Sequence, residues 1–149
     1  MVLDTAPTGH TLLLMDATGA YHRQITRQTS SRAPTVRFIT PLMRLQDPAY
    51  TRVLLVTLAE TTPVSQASAL QEDLRRAHIE PYAWVINKSL LAAGTCDPLL
   101  QQRLMGERKQ IDSVCGSMAK RVFFVPWQAT PPIGLPALQE LAHFCPPAP

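Results

Sequence analysis

The most regular feature of the chain is a set of short, continuous apolar runs. Arg52-Val53-Leu54-Leu55-Val56-Thr57, Tyr82-Ala83-Trp84-Val85-Ile86-Asn87 and Arg121-Val122-Phe123-Phe124-Val125 each read as a strand. Unbroken apolar runs of this length mark strands covered on both faces, as in a parallel sheet. A fourth run, Met1-Val2-Leu3, leads straight into Asp4-Thr5-Ala6-Pro7-Thr8-Gly9-His10. It looks like the last residues of a buried strand followed by a polar loop. Helical spacing fills the intervals. Thr62 and Pro63 suit an N-cap and a first helical position. After them Val64, Ala67, Leu70, Leu74 and Ala77 recur on one face. Residues 98–108 and 110–118 read as two helices, 126–134 as a loop and 135–144 as a final helix. Residues 11–25 are compatible with a helix bent near Gly19, and 28–34 with a polar loop.

Strands alternating with helices predict an α/β fold with a mostly parallel sheet. Its strands are expected over residues 1–4, 52–57, 83–87 and 121–125. In such sheets ligands bind beyond the carboxyl ends of the strands. Asp4, Thr57 to Glu60, Asn87 and Pro126 to Gln128 are therefore expected on one edge.

Composition narrows this picture. At 149 residues the chain suits one domain, over residues 1–144, with 145–149 as a Pro-rich tail. Fourteen basic against eleven acidic residues leave a net charge of +3. The basic residues are scattered, so nucleic acid is not an expected partner. Charged residues make up only 17%, against about 25% in an average domain. A surface this poor in charge suits completion by a partner or by further chain. No apolar run approaches the about 20 residues of a membrane span, and Asp4 interrupts any N-terminal signal. Cys96, Cys115 and Cys145 contain no CxxC pair, which argues against a zinc module and for a reduced, cytoplasmic protein.

The chemistry concentrates at the N-terminal loop. An Asp closing a strand at the ligand edge suits a water-mediated Mg²⁺ contact. The Thr5, Thr8 and Thr11 hydroxyls around Pro7 and Gly9 suit a loop that responds to a terminal phosphate. Alternatively, Asp4 only caps the next helix and the loop residues only shape a turn.

The longer string decides between these readings. Asp4-Thr5-Ala6-Pro7-Thr8-Gly9-His10-Thr11, followed by Leu12-Leu13-Leu14-Met15-Asp16-Ala17-Thr18-Gly19-Ala20-Tyr21-His22-Arg23, closely resembles the signature loop and helix of the arsenical pump-driving ATPases. The likeness continues through Thr40-Pro41-Leu42-Met43, Leu45-Gln46-Asp47-Pro48 and the run from Val53 to Val64. It extends to Trp84-Val85-Ile86-Asn87, Pro98-Leu99-Leu100 and Val125-Pro126. The Asp16 to Arg23 string looks like the second of the two homologous halves of the bacterial pump ATPase.

This resemblance implies a three-layer phosphate-loop α/β domain that uses ATP and Mg²⁺, here expected to lack the strand leading into the phosphate loop and so to be incomplete. Arsenite or antimonite would be effector or cargo. It implies that Asp4 is the Mg²⁺-side carboxylate, with Thr5 and Thr8 in the same coupling loop. His10 would stand beside the metalloid as a candidate ligand. Asn87 would hydrogen-bond the adenine edge, and Pro126, Trp127 and Gln128 would flank the base. Without the family, His10 and Asn87 read as an unliganded helix start and a satisfied turn, and Trp127 as equally suited to packing. The implied partners are a nucleotide, a membrane arsenite pump component and another ATPase half or chain. The implied location is cytoplasmic, peripheral to the inner membrane, without direct insertion.

Two departures stand beside the matches. A phosphate-loop ATPase needs G-x-x-x-x-G-K-S/T, and none of the six glycines here is followed by Lys. The chain therefore reads as a C-terminal piece of a pump ATPase, inactive alone. Trivalent arsenic prefers thiolates, yet the three cysteines match no ligand motif of the family. The rival reading is a non-catalytic module that docks on a full-length pump ATPase. A tail-anchored-protein targeting ATPase ranks lower, since its CxxC pair and Met-rich client subdomain are missing.

Overall fold

The computed structural model describes Val2, Asp4 and residues 41–143. The chain divides into two compact units, residues 1–52 with 72–80, and residues 53–71 with 81–149.

In the first unit, helix α1 (Pro41–Gln46) ends in a turn tied by its own side chains. The Asp47 carbonyl accepts from the Tyr50 and Thr51 amides, and the Thr51 hydroxyl donates to the Arg44 carbonyl at 2.8 Å. The Gln46 side-chain amide donates to the Ala77 carbonyl at 2.8 Å. Near residue 78 a helix closes with His78 in the left-handed region at φ 60°. The Ile79 amide returns to the Leu74 carbonyl, and the His78 amide to that of Arg75, satisfying carbonyls that a helix end leaves free. Leu74 and Ile79 are both buried. Asp4 and Val2 are exposed and lie outside any strand, and Met1 and Leu3 fall outside the described residues. The expected strand over residues 1–4 is therefore not among the strands described.

The second unit is built on a parallel sheet of β1 (Leu54–Leu58), β2 (Ala83–Ser89) and β3 (Val122–Pro126), in that order. The expected α/β class and parallel sheet are thus present. Leu55 pairs with Trp84 and Thr57 with Ile86, and Val85 pairs with Phe123 on the other side. Helix α2 (Thr61–Arg76) follows β1, and a short α3 (Leu90–Ala93) follows β2. Next come α4 (Pro98–Ser113), a π turn (Val114–Met118) and, after β3, helix α5 (Gly134–His143).

Three expectations are corrected. β1 is not covered on both faces: Leu55 and Thr57 are buried, but Leu54 and Val56 are 50% and 63% exposed. Among the described strands β1 lies at the edge, while four of the seven residues of central β2 are buried and only Lys88 is exposed. Residues 98–118 do not form two α-helices. Asp97 caps the Leu99 and Leu100 amides, and α4 then runs to Ser113 because nothing between Arg108 and Gln110 removes a donor. The geometry changes only where the Ala119 amide returns five residues, to the Val114 carbonyl. Finally, α2 begins at Thr61 rather than after Thr62, and its buried stripe is Val64, Ala67, Gln71 and Leu74. Gln71 takes the place expected for Leu70 because it has partners inside. It accepts from Trp84 Nε1 at 2.7 Å and donates to the Met118 carbonyl at 2.9 Å.

Cys115 lies in the π turn. Burial of its sulfur, and then the Asp112 carboxylate, push its thiol above the ordinary range. With Cys96 and Cys145 replaced by Ser, Cys115 should react with iodoacetamide at pH 8 more slowly than free cysteine does. The thiolate is the nucleophile, and less of it is present. A rate equal to or faster than that of free cysteine would contradict this environment.

Candidate functional site

The carboxyl ends of the strands open into a crevice of about 710 Å³. β1 leaves through Leu58, Ala59 and Glu60 along one side, β2 supplies Asn87 and Lys88, and Trp127 follows the end of β3. The opposite wall is one face of α4, carrying Arg103, Glu107 and Gln110. This wall is tied to the β1–α2 turn. Arg103 Nη2 lies 2.6 Å from Glu60 Oε1, and Gln110 Nε2 donates to the Thr61 hydroxyl at 3.3 Å.

The end of β2 is irregular, and this irregularity shapes the site. Pairing with β3 shifts between Ile86 and Ser89. Lys88 lies there in the left-handed region, at φ 54°, which is unfavourable for a side chain bearing a Cβ. Its amide donates to Asn87 Oδ1 at 2.9 Å. A backbone N–H faces only an acceptor, so this contact orients the Asn87 amide. Nδ2 and the second lone pair of Oδ1 remain for a ligand. The Lys88 side chain is exposed and forms no ion pair with a described carboxylate.

Ser89, 1% exposed, joins three parts of the site. Its carbonyl accepts from the Trp127 amide at 2.9 Å. Its hydroxyl accepts from the Ala92 amide at 3.1 Å and donates to Glu107 Oε1 at 2.5 Å. Glu107 is itself buried, and its carboxylate also accepts from the Leu90 amide at 3.0 Å and the Leu91 amide at 3.2 Å. Neutral donors therefore satisfy this carboxylate, which forms no ion pair among the described residues. Among the described residues, no buried side-chain N or O lacks a hydrogen bond.

Of the residues singled out from sequence, Glu60, Asn87 and Trp127 line this one crevice. Pro126 is the buried last residue of β3, opposite Ser89. Gln128 is exposed and is not part of the lining. Asp4 is exposed and belongs to the first unit. Thr5, Thr8, His10 and Thr11 lie outside the described residues. Lys88, Arg103, Glu107 and Gln110 were not anticipated. The available signal was the helical spacing of Arg103, Glu107 and Gln110, which fall on one face once residues 98–113 form a single helix.

The crevice is equipped for binding. Trp127, 43% exposed, offers an aromatic face. Asn87 offers a donor and an acceptor, and Lys88 a positive charge. Both carboxylate oxygens of Glu107 are engaged by the Ser89 hydroxyl and the Leu90 and Leu91 amides. Among the described residues, no group of three or more His, Cys, Asp or Glu side chains could hold a metal ion. No described helix is long and apolar enough to cross a membrane.

Comparison with known proteins adds a family to this geometry. The family model of the anion-transporting ATPases matches residues 35–146. The chain is 55% identical over 141 residues to the arsenical pump-driving ATPase of Acidiphilium multivorum, covering 95% of this chain and 24% of that protein. Two proteins of the same name from Escherichia coli match at 55% over 141 residues and 54% over 142, with the same coverage. The chain thus spans about a quarter of the length of the curated relatives it matches. It belongs to the anion-transporting ATPase family.

Proposed function

We propose that the crevice beyond β1 and β2 receives the adenine end of ATP, as part of an ATPase that energises arsenite or antimonite export. The observation that carries this reading is the placement of Asn87 and Trp127 on one crevice at the carboxyl edge of a parallel sheet. Adenine presents a donor and an adjacent acceptor along its edge. The oriented Asn87 amide matches that pair, while Trp127 and the end of β3 border the ring. Pro126 acts at one remove, by holding the backbone from which Trp127 departs.

The rest of the reading follows the family. On that reading Asp4, Thr5 and Thr8 would couple the phosphate end to the metalloid, and His10 would be a candidate metalloid ligand. Mg²⁺, held through water at Asp4, would supply charge neutralisation at the phosphates. Asp4, an exposed carboxylate, has the chemistry for that contact. The 149 residues hold no G-x-x-x-x-G-K-S/T loop, so this chain binds nucleotide without hydrolysing it. Its setting is the cytoplasmic side of a membrane pump, with a further ATPase segment or chain supplying the phosphate loop.

Tryptophan emission tests the central claim. Trp84 is 1% exposed and Trp127 43%, so a quencher in the crevice reports on Trp127. Adenosine and ATP should both quench this signal. Asn87→Ala should weaken adenosine about tenfold, the effect of losing about 1.4 kcal/mol of hydrogen bonding. Equal affinity in the variant, or no quenching in the native chain, would reject the assignment.

A further inference from the structure

We propose that Glu107 is a positioning residue for the crevice. Through Ser89 it holds the end of β2 in the conformation that presents Asn87 and sets the Trp127 backbone. The proposal rests on the nucleotide reading above only for what the crevice binds; the positioning itself stands on the geometry.

The geometry has three parts. First, Glu107 comes from α4, 18 residues beyond Ser89 in the chain, yet both are buried and their side chains meet at 2.5 Å. The carboxylate simultaneously takes the Leu90 and Leu91 amides, which have no helical partner at the start of so short a helix. Four residues of α3 cannot sustain themselves as an isolated helix, so these contacts define where β2 stops. Second, the residue just before Ser89 is Lys88, at positive φ. That conformation is unfavourable for lysine and persists only where its surroundings impose it. Ser89 fixes its C-terminal side, and the Asn87 side chain takes its amide. The same left-handed step thus gives Asn87 its amide orientation. Third, the Ser89 carbonyl receives the Trp127 amide. One buried serine therefore connects the Asn87–Lys88 step with the Trp127 backbone, and Glu107 is the group that holds that serine.

A carboxylate is suited to this work. It contributes two acceptor oxygens and no donor, and here they receive a hydroxyl and two amides. Glutamine keeps one carbonyl oxygen but turns an NH₂ toward a backbone N–H. Glu107→Gln preserves volume while removing at least one contact, which separates positioning from filling of space.

The test uses the whole chain, with adenosine as the probe and two readouts. Glu107→Gln should weaken adenosine about tenfold, shift Trp127 emission, and speed amide exchange at Leu90, Leu91 and Trp127. Far-UV circular dichroism and the buried Trp84 signal should stay native. Ile111→Val, on the same helix but pointing into the core, should lower stability without moving adenosine affinity or Trp127 emission. Ser89→Ala should act in the same direction as Glu107→Gln and serves if that variant does not fold. If the native chain binds no adenosine, the nucleotide reading fails. Emission and exchange in Glu107→Gln then still decide the positioning claim. A folded Glu107→Gln with native emission, native exchange and unchanged affinity would overturn it.

Discussion

Trp84→Ala should leave the second unit unfolded or nearly so at 25 °C. Trp84 is 1% exposed on central strand β2, with Leu55 and Val122 as its register partners on either side. Truncating a buried tryptophan removes its apolar contacts and opens a cavity, at about 3–5 kcal/mol. A second cost arises from Gln71. Its Oε1 loses the indole donor, and an unpaired buried acceptor costs about 1–3 kcal/mol. Together these approach the whole stability of an ordinary domain, about 5–15 kcal/mol. Trp84→Phe helps separate the terms, because it keeps a large aromatic ring in the core while removing the donor. It should cost clearly less than Ala. Its double-mutant cycle with Gln71→Ala should show a coupling of about 0.5–3 kcal/mol, as expected for directly bonded groups. Urea unfolding followed by circular dichroism measures the native chain, the three single variants and the double variant. A Trp84→Ala loss below about 1 kcal/mol would mean that the indole is not the centre of this core.

The same residues show how much of the architecture can be read from sequence. The runs around Val56, Ile86 and Phe124 mark the strands because parallel strands bury continuous apolar stretches. Their carboxyl ends follow from the period, so Glu60, Asn87 and Trp127 could be placed on one edge before any coordinates. Apolarity alone does not say which strand is central. Val56 is as apolar as Ile86, yet it is 63% exposed at a sheet edge. Nor does hydropathy locate a polar residue whose partner is distant in the chain. Gln71 enters the buried stripe only because Trp84 and Met118 meet it there. Glu107 is buried only because the start of α3 offers it amides. In both cases the partner is brought in by a crossover of the sheet, information that local spacing does not carry. The break between β2 and α3 is hidden for a related reason. Asn87-Lys88-Ser89 contains no glycine to announce a positive φ, and lysine adopts it under tertiary constraint.

The purified chain, supplied with ATP, Mg²⁺ and antimonite, should release phosphate no faster than buffer does. In phosphoryl transfer the protein contributes chiefly positioning and neutralisation of charge on the transferred group. A row of backbone N–H groups followed by a lysine supplies both in phosphate-loop enzymes. Among the six glycines of this chain none precedes a lysine, and the described crevice offers no equivalent. Its cations are Lys88 and Arg103, and Arg103 is occupied by Glu60 at 2.6 Å. Lys88 is a single charge and not a row of backbone donors followed by a lysine. Enzymatic rate enhancements are at least about 10⁶-fold, so the contrast between an assembled site and this chain is large. Binding should be unaffected by this deficiency if, as proposed above, Asn87 and Trp127 address the base and not the phosphates. The expected result is therefore quenching of Trp127 by ATP together with background phosphate release. Adding a chain of the family that carries a G-x-x-x-x-G-K-S/T loop tests whether such a loop acts in trans. Steady turnover by the chain alone, abolished in Asp4→Ala, would refute the proposal and place a phosphate site within these 149 residues.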